Sequence, residues 1–150
     1  EEETNRLAQE EIQRQAEEAA RIEAERIAYE EALITRGISV VEYAKQFLGV
    51  PYVYGGTNRN GIDCSGLTQA AHRAVGIRIP RVSGDQAASG KWIDGLENAL
   101  PGDVICYPGH VAIYIGNYRV IHAPTFNQTV KEASVYMSAS QPITAIRRYW

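Results

Sequence analysis

Apolar residues recur along this 150-residue chain in distinct rhythms, and each rhythm predicts a different element. Over residues 1–36 they are sparse and Ala-heavy: Leu7, Ala8, Ile12, Ala16, Ala19, Ile22, Ile27, Leu33 and Ile34 form a thin stripe that keeps no strict heptad. No Gly or Pro interrupts the stretch, and its Glu, Ala, Arg, Gln and Ile are mostly good helix formers, so one long helix with solvated flanks is predicted. Gly37 is expected to end that helix. Ser39, with Glu42 three residues on, reads as a capping box opening a second helix through Val40, Val41, Tyr43, Ala44, Phe47 and Leu48, stopped by Gly49 and Pro51. Beyond Asp63 the helical period returns in Leu67, Ala70, Ala71, Ala74 and Val75, ending at Gly76, which predicts a helix with Cys64 in its first turn. Further on the period shortens. Val104–Tyr107, His110–Ile115 and Tyr118–His122 are rich in β-branched and aromatic residues and are broken by Pro108-Gly109 and Gly116-Asn117, the pattern of an antiparallel meander.

Charge sharpens the division near Gly37. Residues 1–36 hold 11 Glu against 5 Arg, while the rest of the chain carries 10 Lys and Arg against 7 Asp and Glu. Glu2 with Arg6, Glu10 with Arg14 and Glu17 with Arg21 stand four apart with the acid first, the favourable order on a helix, and Glu1 to Glu3 suit its positive N-terminus. A domain organisation of 1–36 as a charged helical stalk, the end of a coiled coil, and 38–150 as a folded body follows. The stalk is a candidate for self-association. The body's weak positive charge is compatible with an anionic polymer but too small to argue nucleic-acid binding. No apolar run reaches the roughly 18 residues of a membrane span. The chain begins at Glu1 with no basic-plus-apolar leader, as expected of a chain whose signal peptide has been removed or of a piece of a longer protein.

The candidate chemistry centres on Cys64. A thiol is a poor nucleophile while protonated, and a helix N-terminus lowers its pKa through the positive dipole end and free N–H groups. Gly66 and Ser65 keep its surroundings small, so that a substrate backbone can approach, and Asp63 sets a carboxylate beside it. In the second hairpin a three-residue loop, Gly116 to Tyr118, would set Ala112 opposite His122 and leave His110 as the diagonal neighbour on the same face, about 7 to 8 Å away at the backbone. There His110 can serve as base towards the thiol, with His122 fixing its tautomer and orientation. His72, two turns along the helix from Cys64, reads as a structural histidine. Cys106 lies in an apolar strand and reads as a small core residue. A zinc site from Cys64, Cys106, His110 and His122 would lack the close-set ligand pairs of structural zinc modules, so no metal is expected.

Asp63-Cys-Ser-Gly66, the strand Gly109-His-Val-Ala-Ile-Tyr-Ile-Gly116 and His122 resemble the Cys, His, His set of the NlpC-type cysteine peptidases, papain-like bacterial cell-wall hydrolases. Pro51-Tyr-Val-Tyr-Gly-Gly56, Pro80-Arg-Val-Ser-Gly-Asp-Gln86 and Pro101-Gly-Asp103 fall in the family's order, so the resemblance spans about residues 38 to 149. It implies an α+β papain-like body, the nucleophile helix packed on an antiparallel sheet, preceded by the long N-terminal helix. It implies a secreted peptidoglycan hydrolase without cofactor, cleaving the γ-D-glutamyl amide to Lys or diaminopimelate in stem peptides of the wall or of released muropeptides. Cys64 would be nucleophile, His110 the base and His122 its orienter. Tyr52 and the Cys64 N–H would face the oxyanion, and Tyr52, Asp63, Ser65, Arg81 and Ser83 match substrate-contacting positions. Tyr54 and Val82 depart from the family's frequent Trp and Thr. Acyl transfer to an amine, a non-catalytic wall-binding module, and latency imposed by residues 1–36 are the alternatives the sequence leaves open.

Overall fold

The computed structural model describes residues 1–150. Helix α1 runs without a break over Glu2–Lys45. The expected stop at Gly37 and restart at Ser39 do not occur. Ser39 is helical, and its hydroxyl donates back to the Thr35 carbonyl (3.1 Å) instead of capping a new N-terminus. Gly37 is there for space: a Cβ on it would lie 2.0 Å from the Pro101 carbonyl oxygen and 2.7 Å from the Trp150 ring. The opposing turn also needs glycine, because Gly102 has φ +96° and a Cβ there would meet the Gly37 carbonyl oxygen at 2.6 Å.

The chain divides into two compact units, Glu1–Leu33 and Ile34–Trp150. In the first, every residue is exposed except the half-buried Glu11 and Leu33. Its ion pairs differ from those expected. Arg6 bonds Glu3 and Glu10, Arg21 pairs with Glu18 and Glu25, and Arg26 bonds Glu23 and Glu30, while Arg14 pairs with Glu11. Arg6, Arg21 and Arg26 each have one acid three residues before and another four residues after, so a forked guanidinium reaches both at once. No helix is long and apolar enough to cross a membrane.

The second unit is α+β. Its sheet has six antiparallel strands: β3 (Lys91–Trp92), β4 (Val104–Tyr107), β5 (His110–Gly116), β6 (Arg119–His122), β7 (Lys131–Ser134) and β8 (Ala145–Arg148), in the order β3-β8-β4-β5-β6-β7. A two-stranded ribbon, β1 (Thr57–Asn58) with β2 (Gly61–Ile62), precedes helix α2 (Cys64–Ala74), and the short α3 (Ser83–Ala88) follows it. Ile113 and Ile121 face Leu67 and Ala71 of α2 and Val40, Val41 and Ala44 of α1 in one core, while Ile105, Ala112, Tyr114, Val120 and Ile146 form another. His72 is fully buried, donates from Nδ1 to the Thr68 carbonyl (2.7 Å) and packs edge-on against Tyr149, a structural placement.

The β5–β6 connection reaches the expected register by a different device. Asn117 and Tyr118, at φ 52° and 59°, form a two-residue turn of type I′ character, and Ile115 is an unopposed bulge between the Tyr114↔Val120 and Gly116↔Arg119 pairs. The extra residue restores the offset that a three-residue loop would have given.

Replacing Gly37 by Ala tests the packing role, because two effects oppose. Helix propensity alone would favour Ala by about 1 kcal/mol. The new methyl meets backbone, which cannot swing away, and overpacking costs about 1 to 3 kcal/mol. We expect net destabilisation in urea titration; a Gly37→Ala protein of equal or greater stability would contradict it.

Candidate active site

Asp63 organises the surroundings of Cys64. As N-cap of α2 it accepts from the Gly66 N–H at Oδ1 (2.7 Å), while its carbonyl takes the Leu67 N–H (3.0 Å). The helix N–H groups left over are those of Cys64 and Ser65, and with the Val111 N–H from β5 they lie close enough to the Cys64 thiol to favour its charged form. Oδ2 of Asp63 accepts from the Gly55 N–H (2.9 Å) and from Arg81 Nη2 (3.0 Å). Arg81 Nη1 in turn donates to Ser65 Oγ (2.8 Å). Burial pushes the Asp63 pKa up, but the bonds from Arg81, Gly66 and Gly55 outweigh it and hold it below the usual range.

Gly66 serves the chain itself and not an incoming substrate. A Cβ there would lie 2.4 Å from the Gly56 carbonyl oxygen and 2.9 Å from Asp63 Oδ1. Its bare backbone lets the Tyr52 to Gly56 segment lie against the helix start, with Asp63 N–H donating to the Gly56 carbonyl (3.2 Å). Behind α2, the fully buried Gln86 donates to the carbonyls of Ser65 (3.0 Å) and Pro80 (2.9 Å) and accepts from Thr68 Oγ1 (2.6 Å). This bond set fixes the loop carrying Arg81 to the first turn of the helix.

The two histidines meet. His110 Nε2 and His122 Nδ1 are 2.8 Å apart, with the rings edge-to-face at 5.0 Å. His110 and Cys64 are the first residues of β5 and α2, and both line one cavity, so the chemistry gathers at the ends of the two elements. With Nε2 spent on His122, Nδ1 is the His110 nitrogen free to act as base. That role requires His110 to carry its proton on Nε2 and donate it to His122 Nδ1, which leaves the His122 proton on Nε2.

Burial moves these groups away from the expected ion pair. It lowers His110 to about 4 and also lowers His122, where the neighbouring His110 and Lys131 add to the effect. It raises Cys64, the Asp63 charge adding to it and the N–H groups of Val111, Ser65 and Cys64 opposing it. The helix N-terminus therefore does not leave the thiol depressed, as its position alone suggested: desolvation wins. Burial thus favours a neutral thiol beside a neutral imidazole. Cys106, fully buried, is pushed up to about 12 and is inert.

Cys64 lies between two lobes of one groove. One, of about 380 Å³, is lined by Tyr52, Tyr54, Gly55, Asp63, Cys64, Ser65, Arg81, Val82, Ser83 and Gly109, and so contains all the expected substrate-contacting residues. The other, of about 390 Å³, shares Tyr52, Cys64 and Gly109 and adds His110, His122, Pro124, Thr125, Met137 and Gln141. Sequence reasoning missed this second lobe beyond the histidines, because no local spacing ties Thr125, Met137 or Gln141 to Cys64. Burial, joined by the Cys64, Asp63 and Tyr54 charges, raises the Tyr52 phenol, which therefore stays a proton donor.

The family model of the NlpC/P60 family matches residues 49–148. A gamma-D-glutamyl-L-lysine dipeptidyl-peptidase of Bacillus cereus is 38% identical over 100 residues, covering 61% of this chain and 30% of that protein. A gamma-DL-glutamyl hydrolase of Bacillus subtilis is 37% identical over 140 residues, covering 85% of this chain and 32% of its own length. The chain thus spans about a third of these relatives. Among solved structures, the NlpC/p60 domain of the peptidoglycan hydrolase SagA is 32% identical with a TM-score of 0.65, over 75% of this chain and 97% of that one. An NlpC/P60 family protein from Bacillus cereus is 34% identical with a TM-score of 0.70, over 75% and 40%.

The neutral resting pair predicts how the thiol alkylates. Iodoacetamide should label Cys64 and spare Cys106, slowly at neutral pH, with the rate rising roughly tenfold per pH unit as the thiolate fraction grows. A fast rate independent of pH down into the acid range would reveal a thiolate–imidazolium pair and contradict the burial argument.

Proposed function

The chain belongs to the NlpC/P60 family, and from that premise we propose that it is a cysteine endopeptidase of bacterial cell-wall peptidoglycan. The bond cut is the γ-D-glutamyl amide to Lys or diaminopimelate in a stem peptide. The observation that carries this reading is the placement of Cys64, at the start of α2, in one groove with a hydrogen-bonded His110–His122 pair. The activities of the Bacillus relatives, both named for glutamyl bonds, support the substrate class. The site of action is outside the cytoplasmic membrane, with residues 1–36 serving as a charged stalk.

In the reaction, His110 Nδ1 takes the thiol proton as Sγ adds to the γ-carbonyl carbon. The oxyanion is met by the Cys64 N–H and the Tyr52 hydroxyl, contacts of a kind whose loss costs about 3 to 4 kcal/mol elsewhere. Collapse breaks the C–N bond, His110 returns the proton to the leaving amine, and water then hydrolyses the thioester with His110 again as base. Because the leaving amine must reach His110, the diamino acid occupies the lobe of His110, Thr125 and Gln141. The acyl part occupies the other lobe, where Tyr52, Ser65, Arg81 and Ser83 touch it. The Asp63–Arg81 pair presents both charges there, complementary to an ammonium and a carboxylate of the stem peptide. Since Asp63 already has partners on both oxygens, its larger contribution is to hold Arg81 and the helix start in place.

Defined muropeptides with Lys or diaminopimelate at the third position, followed by mass spectrometry, test this directly. The folded, reduced protein should release product cut after D-Glu, and Cys64→Ala should release none. Cleavage by the variant, or none by the parent, would overturn the reading. Because His110 works as a neutral base, kcat/KM should hold level above its pKa and fall as pH drops through about 4.

A further inference from the structure

The leaving-group lobe contains two buried side-chain atoms that the mechanism above does not use. His122 Nε2 and Gln141 Oε1 are both shielded from solvent, and neither has a hydrogen-bond partner. Both residues line the cavity that holds His110 and Cys64. A buried polar group left unpaired costs about 1 to 3 kcal/mol, so two in one cavity call for a partner. Their chemistry is complementary. With His110 as the base, its bond to His122 puts the second proton of the pair on His122 Nε2, a donor, and an amide oxygen only accepts.

We propose that Gln141 is a positioning residue of the reaction, its Oε1 accepting the His122 Nε2 proton and so locking the tautomer of both imidazoles. This rests on the reading of His110 as base and His122 as its orienter. The backbone already holds Gln141 in place: its N–H donates to the Ser138 carbonyl (3.0 Å) in the Ser138↔Gln141 bridge. The last torsion of a glutamine side chain is soft, so the carboxamide can reorient at little cost. With the bond made, a chain of donors runs from His110 Nε2 to His122 and from His122 Nε2 to Gln141. The reverse tautomer, with the His110 proton on Nδ1, would have no base facing the thiol and would leave His122 Nε2 as an acceptor against an amide oxygen. When His110 takes the thiol proton, the positive charge is shared along the same chain. The other titratable groups around His122 are His110 on β5, Lys131 directly opposite on β7, and Cys64 and Tyr52 across the lobe.

Two variants of the full chain, Gln141→Leu and Gln141→Glu, test the proposal through readouts that a mere wall of the groove would not move. At neutral pH the parent should show a protected His122 Nε2–H proton by NMR, lost in Gln141→Leu. Leucine should also lower kcat roughly tenfold. Glutamate, which accepts the same proton with a charge, should keep the signal and move the acid limb of kcat/KM up by about one pH unit. Persistence of the protected proton in Gln141→Leu, or an acid limb in Gln141→Glu at the parent's position, would overturn it. The NMR arm needs no turnover, so a parent that cleaves no muropeptide would refute the endopeptidase reading while this inference is still decided.

Discussion

The Asp63 carboxylate is the constraint on which the site depends. One side chain caps α2, anchors the Gly55 backbone and holds Arg81, which reaches on to Ser65. By occupying the Gly66 N–H it decides which helix N–H groups remain for the sulfur, and by drawing Gly55 and Arg81 together it shapes the lobe on that side of Cys64. Gly66 is the second half of the same constraint, since any side chain there would push the Tyr52 to Gly56 segment off the helix. Cys64 is thus placed by a charge that is itself neutralised by a guanidinium, and the net charge brought near the thiol stays small.

Burial then sets the chemistry. Cys64 and both histidines sit where desolvation penalises their charged forms, so burial favours the neutral thiol and neutral imidazole. On the proposed reading, the thiolate is created at the moment of attack. Proton transfer and C–S bond formation are then coupled in that reading, which requires His110 Nδ1 to be aimed at the thiol and unprotonated. That places unusual weight on the His110–His122 bond and on whatever receives the remaining His122 proton.

Much of this was legible in the sequence, for reasons that are local. Cys64 at a helix start follows from Asp63 as cap and the apolar period after it, and the strands bearing both histidines follow from β-branched runs between turn residues. The register that brings His110 and His122 together was reached correctly although the turn was not: a bulge at Ile115 compensates for a tighter Asn117-Tyr118 turn. What failed depended on contacts distant in sequence. Gly37 looked like a helix stop because glycine usually marks one, and only the Pro101 carbonyl and Trp150 ring show it to be a point of close packing. The thiol's pKa direction was misjudged because the helix end is visible in sequence and burial is not. Gln141, thirty-one residues beyond His110, reaches the lobe only through the chain path from β7 to β8.

The central claim is that Cys64 carries the acyl group of a γ-D-glutamyl bond between cleavage and hydrolysis. Rapid acid quench of the protein turning over a defined muropeptide, followed by peptide mapping, tests it most directly. A thioester of the D-Glu-terminated fragment on Cys64, appearing before steady-state product and absent when His110 is replaced, is the predicted result. Steady turnover with no adduct on Cys64, or with an adduct on another residue, would contradict it.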